Sequence, residues 1–174
     1  MMSLLESPRL KYEKLSLIHV TDRYLSWIND PVIRIGLESV SVSGPPSTMD
    51  DLKNYVGNLD QKAHVFAIIW KESHIGNIKI HMIEPKHGRA EIGYLIGDRS
   101  VSGMGFGTEA VGRITRYCFE NLDLRKVTAG CYADNMGSIR ILEKNGYLQE
   151  GHLKFHIRRD GEYIDVLRFG KLKP

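Results

Sequence analysis

The sequence predicts a mixed α/β sheet, on three observations. Three β-rich runs between His64 and Ile96 read as an antiparallel meander, and a glycine-rich loop, Gly103-Met-Gly-Phe-Gly107, then leads into an amphipathic helix. A strand, a short helix and a β-hairpin come after it. About seven strands and about four helices are expected, in one domain over residues 1–174.

Arg9 to Lys14 can form the first strand, and Thr21 then caps a helix whose apolar positions are Tyr24, Leu25, Trp27 and Ile28. Pro31 ends that helix near Asn29 and Asp30, because the residue ahead of proline is pushed out of helical conformation. A second helix begins after Ser47 or Thr48: Thr48-Met-Asp-Asp51 has the form of a capping box, and Leu52, Tyr55, Val56 and Leu59 recur at helical spacing.

His64 to Trp70 and Ile75 to Ile83 pair through Lys71-Glu-Ser-His74, and Pro85-Lys-His-Gly88 turns the chain into Ala90 to Ile96. The helix after the glycine loop runs from about Thr108 to Asn121, with Ala110, Val111, Ile114, Cys118 and Phe119 apolar. Next come a strand, Lys126 to Ala133, and a helix near Ser138 to Lys144 that Asn145-Gly146 ends. Leu148 to Ile157 and Glu162 to Leu172 flank the hairpin signal Arg159-Asp-Gly161.

With 174 residues, 42% hydrophobic and 26% charged, the chain has the composition of one ordinary globular domain with a real core. Its net charge of +3 is scattered, so no basic tract points to nucleic acid or an anionic membrane surface. Cys118 and Cys131 have neither a CxxC spacing nor a disulfide framework and read as reduced, buried residues. No apolar run approaches bilayer length and the start lacks a signal-type apolar region, so a cytoplasmic enzyme or binding protein is expected, monomeric or homodimeric.

Glycines at alternate positions just before a helix let backbone approach a ligand and aim unpaired N–H groups at it; with the positive helix end they make a phosphate or pyrophosphate site. The same glycines also suit a plain strand-to-helix turn. A Rossmann site is excluded, because the loop comes after an antiparallel meander, its spacing is GxGxG, and Glu109 stands where a third glycine belongs. A Walker loop is excluded by the lack of Gly-Lys-Ser or Gly-Lys-Thr.

Three runs carry a resemblance: Ala90-Glu-Ile-Gly-Tyr-Leu-Ile-Gly97, Gly103-Met-Gly-Phe-Gly-Thr-Glu-Ala110, and Asn135-Met-Gly-Ser-Ile-Arg-Ile-Leu-Glu-Lys-Asn-Gly-Tyr147. In combination they closely resemble the GNAT superfamily of N-acetyltransferases, best the branch typified by bacterial ribosomal-protein N-terminal acetyltransferases. Trp27-Ile-Asn-Asp-Pro31, Ile75-Gly-Asn77 and Glu150-Gly151 to Asp165 extend the resemblance over nearly the whole chain.

The resemblance implies a GNAT-like sheet with acetyl-coenzyme A as cosubstrate, lying in a V-shaped split between the strand ending at Ile96 and the strand Lys126 to Ala133. It implies that amides of Met104, Gly105, Phe106, Gly107 and Thr108 receive the pyrophosphate, that the backbone of Leu95, Ile96 and Gly97 meets the pantetheine and acetyl carbonyl, and that Asn135 and Ser138 complete the coenzyme site. Ser102 departs from the family, whose loop usually opens with Gln or Arg.

Acetyl transfer from a thioester to an amine needs a neutral amine, a polarised carbonyl and a proton for the thiolate. Glu91 is the candidate base, directly or through water, or else a cross-strand partner. Leu142 stands where many members place a tyrosine acid; Ser138 is the nearest substitute or a helix cap, and Tyr132 and Tyr147 are either acids or core. A thiolate also leaves without a dedicated acid, so positioning alone can supply most of the rate.

His152 and His156 share a face only if their strand is regular, and no metal is expected. By the same resemblance the first two helices, the loop from Glu38 to Ser47 and the turn from Arg158 to Gly161 line the acceptor side. The acceptor is then the amine of an amino sugar, a polyamine or a protein N-terminus. The alternative is a non-catalytic coenzyme A-binding regulatory module.

Overall fold

A computed structural model describes residues 5–37 and 44–174. Of the expected acceptor-side loop, residues 38–43 lie outside the described residues. The elements are β1 (Leu5–Glu6), β2 (Lys11–Lys14), α1 (Asp22–Asn29), α2 (Pro31–Arg34), α3 (Met49–Gly57), β3 (His64–Trp70), β4 (Ser73–Glu84), β5 (Arg89–Ile96), α4 (Phe106–Glu120), β6 (Lys126–Tyr132), α5 (Met136–Lys144), β7 (Leu148–Arg159) and β8 (Glu162–Leu172). The described residues therefore form the expected mixed α/β sheet, with eight strands and five helices rather than about seven and four. Strand order is β1-β2-β3-β4-β5-β6-β8-β7. Every neighbouring pair is antiparallel except β5 with β6.

The extra strand is β1, a two-residue piece that folds back on β2. The extra helix corrects the expectation at Pro31. Asp30 does leave helical conformation and ends α1, but its carboxylate then accepts N–H bonds from Val32 at 2.8 Å and Ile33 at 3.3 Å, capping a new helix. Pro31 sits in that helix's first turn, where its missing N–H costs nothing and its fixed φ fits.

Other boundaries move by a residue or two. Lys71 and Glu72 both take positive φ, 47° and 63°, so a two-residue turn joins β3 to β4 and pairing begins at Trp70 and Ser73. α4 starts at Phe106 rather than Thr108, and α5 at Met136 rather than Ser138. Thr21 and Thr48 cap α1 and α3 as expected, Thr48 in a reciprocal box with Asp51.

Alternation along β3 buries both of its faces. Val65, Ala67 and Ile69 point into a core with Leu15, Tyr24, Trp27, Leu52 and Val56, beneath α1 and α3. Phe66, Ile68 and Trp70 point the other way, into the larger core with Ile78, Ile80, Ile92, Phe106, Val111, Ile114, Leu142 and Tyr147, beneath α4 and α5.

At the far edge, β7 is not regular. Phe155 has φ 51° in a bulge between Leu153 and Ile157, where its N–H donates to Asp165 Oδ1 at 2.8 Å. His152 pairs with Asp165 Oδ2 at 2.6 Å across that bulge, so it does not share a regular strand face with His156. Among the described residues no helix is long and apolar enough to cross a membrane.

Candidate active site

β5 and β6 pair over only three residues, Arg89 to Glu91 against Lys126 to Thr128, and then part. From there β5 is held by β4 alone, as far as Ile96 opposite Gly76, while β6 runs beside β8 to Tyr132. A cavity of about 1210 Å³ opens between the diverging halves, bordered by Tyr94 to Ile96 on one side and Gly130 to Tyr132 on the other. Asn135 to Ser138, at the start of α5, close one wall of it.

The strand end at Gly97 is fixed from two directions. Its N–H donates to Ile75 O at 2.9 Å, and the Trp27 ring lies where a side chain at 97 would stand. Because N–H groups alternate along a strand, those of Tyr94 and Ile96 face away from β4 and into the split. Of the three backbone positions singled out in the sequence, Ile96 therefore presents a free donor, Gly97 spends its own on Ile75, and Leu95 lines the cavity.

Gly103 and Gly105 take φ values of 77° and 80°, a conformation side chains resist, and Gly105 is the N-cap of α4. The first intrahelical bond is Glu109 N–H to Gly105 O at 3.0 Å, which leaves the N–H groups of Phe106, Gly107 and Thr108 without a helical acceptor. Met104 differs: its N–H donates to Val101 O at 3.3 Å. Residues 102–105 are exposed, whereas Phe106 and Gly107 are buried.

The guanidinium that Ser102 does not supply arrives from elsewhere. Arg9 donates to Met104 O at 2.9 Å and to Glu109 Oε2 at 2.6 Å, and lies 4.5 Å from the centroid of the Phe106 ring. Glu109 also accepts from Ser7 Oγ and from the Arg9 amide, at 2.7 and 2.8 Å. Burial works to raise the Glu109 carboxyl, yet these hydrogen bonds hold it below its ordinary value. The acid at the place of a third glycine thus clasps the N-terminal segment to the loop.

Among the candidate catalytic groups, Glu91 borders the cavity, and Arg168 of β8 donates to both of its carboxylate oxygens, the longer bond being 3.1 Å. Asn135 caps α5: its Oδ1 accepts from the Ser138 N–H at 3.0 Å. This corrects the expectation that Ser138 opens the helix. Ser138 stands in the first turn and borders the cavity, and the Asn135 Nδ2 group is left to donate.

Leu142 is fully buried, and Tyr147 is core, its hydroxyl bonded to Thr115 Oγ1 at 2.7 Å. Tyr132 borders the cavity beneath the Arg159 guanidinium, whose carbon lies 5.4 Å from the ring centroid. Cys118 is buried as expected; Cys131 is only half-buried and borders the cavity, its thiol pushed up to about 11 by burial.

Sequence reasoning missed Tyr94, whose hydroxyl crosses the split to donate to Ser138 O at 3.2 Å. Burial raises its pKa above the ordinary phenol value, so it remains a proton donor near neutral pH. Its alternation with Glu91 and Gly93 was the available signal: it marks a residue on the opposite face of β5 from the acid.

A parted sheet beside unclaimed helix-terminal amides suits an extended ligand with a polar arm and a diphosphate. Residues 9–148 match the acetyltransferase (GNAT) domain family, and the chain belongs to it. It is 38% identical over 118 residues to an uncharacterized N-acetyltransferase, p20, of Bacillus licheniformis, a match that spans 67% of this chain and 66% of that one, just under two thirds of its length. It is 32% identical over 130 residues to the ribosomal-protein-serine acetyltransferase of Escherichia coli K12, spanning 72% of each. The fold is also that of the spermidine N-acetyltransferase from Vibrio cholerae solved with coenzyme A and spermine: TM-score 0.80, 22% identity, 95% of this chain and 96% of that one.

Proposed function

We propose that this protein transfers an acetyl group from acetyl-coenzyme A to a primary amine, carried by a small molecule (an amino sugar or polyamine) or a protein N-terminus. The observation that carries the reading is the parting of β5 from β6 after three paired residues, next to the open start of α4. A pantetheine arm laid in the split can pair with the edge of β5 as a strand would, taking the Ile96 N–H with Leu95 and Gly97 beside it. The amides of Gly105, Phe106, Gly107 and Thr108 take the diphosphate, with Met104 flanking it and Arg9 as the neighbouring cation. Asn135 Nδ2 donates to a pantetheine carbonyl, and Ser138 closes the site.

In the reaction, backbone N–H groups at the strand end polarise the thioester carbonyl. Glu91 receives the amine proton through water, because Arg168 occupies both of its oxygens. The thiolate takes its proton from a hydroxyl at the start of α5, Ser138 or Tyr94. Glu91→Gln is expected to lower kcat by roughly tenfold to a hundredfold with little change in coenzyme affinity. Parallel steady-state kinetics and calorimetry check it, and full activity removes Glu91 from the mechanism.

Acetyl-coenzyme A is expected to raise the melting temperature and NAD to leave it unchanged, since only a ligand that binds the folded state stabilises it. Thiol release with sugars, polyamines and peptides then reads turnover. No shift with acetyl-coenzyme A would overturn the assignment. A second reading, a non-catalytic coenzyme A-binding regulatory module, draws on Leu142, sealed in the core where the family often has a tyrosine acid. Its signature is a coenzyme-dependent melting shift without thiol release from any acceptor.

A further inference from the structure

We infer that the acceptor side of the split selects amines that carry an anionic group, carboxylate or phosphate, and that Lys79 is the residue that reads it. The inference rests on the transferase reading above and narrows its substrate class. Asn77, Lys79 and His81 alternate along β4, directly opposite Leu95, Gly93 and Glu91 on β5. These six positions share one sheet face and border the cavity. Asn77 Oδ1 lies 2.9 Å from His74 Nε2, and Tyr24 and Trp27 of α1 pack on that histidine ring, which sets this face beneath α1, away from α4 and α5.

Gly93 gives Lys79 its direction. A Cβ at position 93 would lie 2.8 Å from Lys79 Cε, so the lysine stem lies across β5, over the missing side chain. The ammonium is thereby carried from β4 towards the split. Lys79 is half-buried, and among the described residues it has no carboxylate partner and no hydrogen-bond acceptor.

Among the described residues, the carboxylates that border the cavity are Glu91, Asp134 and Asp51. Glu91 is held by Arg168, and Asp134 by Arg159. Asp51 turns back on its own helix terminus, where its Oδ2 accepts from the Thr48 N–H at 2.8 Å and hydroxyl at 2.7 Å. His81 and His156, also at the cavity, add no negative charge. Among the described residues that border the cavity, Lys79 is the cation left without a carboxylate partner towards an incoming acceptor. A polyamine would bring a second ammonium against Lys79, which is discrimination by repulsion. An anionic group on the acceptor would satisfy Lys79 in a half-buried place where charge-assisted bonds are strong.

The test uses matched amines with and without the anion: glucosamine 6-phosphate against glucosamine for phosphate, and an amino acid against its amide for carboxylate. Spermidine serves as the polycation. Binding to the protein saturated with coenzyme A is measured by calorimetry, and thiol release from acetyl-coenzyme A in parallel. At least one anionic member is expected to outperform its neutral partner on the order of tenfold or more, and the pair that does so identifies the source of the anion.

Lys79→Met should erase that ratio while coenzyme affinity stays at the wild-type value, and Lys79→Glu should shift preference towards spermidine. Gly93→Ala, which displaces only the far end of the lysine, should reduce the ratio in the same direction. Equal handling of both members of each pair, preference for spermidine by the wild type, or an unchanged ratio in Lys79→Met overturns the inference while leaving the transferase reading intact. Absence of coenzyme binding overturns the transferase reading and this inference with it.

Discussion

Gly105→Val is expected to raise the dissociation constant for acetyl-coenzyme A by on the order of a hundredfold and to leave the chain folded. Two costs combine. Gly105 has φ 80°, and a β-branched residue held there costs roughly 1–3 kcal/mol in the folded state. The second cost falls on binding alone. A Cβ at 105 would meet only Arg9 Nη2 within 4 Å, at 3.7 Å, so the added side chain stands in open space at the start of α4, where the proposed binding mode puts the diphosphate.

Gly105→Ala separates the two, because it carries the backbone strain with little of the obstruction. Its melting temperature should fall by several degrees, like that of the valine variant, while its coenzyme affinity should lie between valine and wild type. Calorimetric titration beside melting curves reads both quantities. A valine variant that binds as tightly as wild type would show that the diphosphate lies elsewhere.

The meander was legible because His64 to Trp70, Ile75 to Ile83 and Ala90 to Ile96 are runs rich in β-branched and aromatic residues, set apart by turn residues. The Thr48 capping box and the glycine loop were equally local. Pro31 was not decidable in this way: proline both ends one helix and begins another, and the outcome turned on whether the Asp30 carboxylate caps the turn after it. β1 was missed because two residues carry no period; only their pairing with β2 makes them a strand.

The candidate site divides along the same line. Its backbone parts, the strand end at Ile96 and the loop at Gly105, lie in contiguous motifs and could be read directly. Its side-chain pairs could not. Glu91 meets Arg168 from 77 residues away, and Arg9 meets Glu109 from 100. Whether Glu91 is a free base or a paired acid, and whether the loop lacks a cation because Ser102 stands at its start, depends on partners that only the sheet order supplies.

The same dependence makes Gly97 the most informative position for stability. A Cβ there would lie 2.5 Å from Trp27 Cγ and closer still to Cδ2 and Cε3. Neither side can yield easily. Trp27 is 5% exposed, and its ring packs against His74 and Tyr24 with centroids 5.0 and 5.6 Å away. Gly97 is tied to Ile75 O, and Asp98 N–H bonds the same oxygen at 3.1 Å. Gly97→Ala is therefore expected to destabilise by about 3 kcal/mol, the upper end for overpacking, and to weaken coenzyme binding as the strand end lifts and carries the Ile96 N–H with it. Trp27→Ala alone should cost about 3–5 kcal/mol through the cavity it leaves. Since removing the ring also removes the clash, the double variant should cost less than the sum of the two by at least about 1 kcal/mol. It should also recover coenzyme affinity lost in Gly97→Ala, because the strand end can settle back. Urea unfolding of the four proteins gives the coupling, and strictly additive losses would mean that Trp27 does not hold the strand end in place.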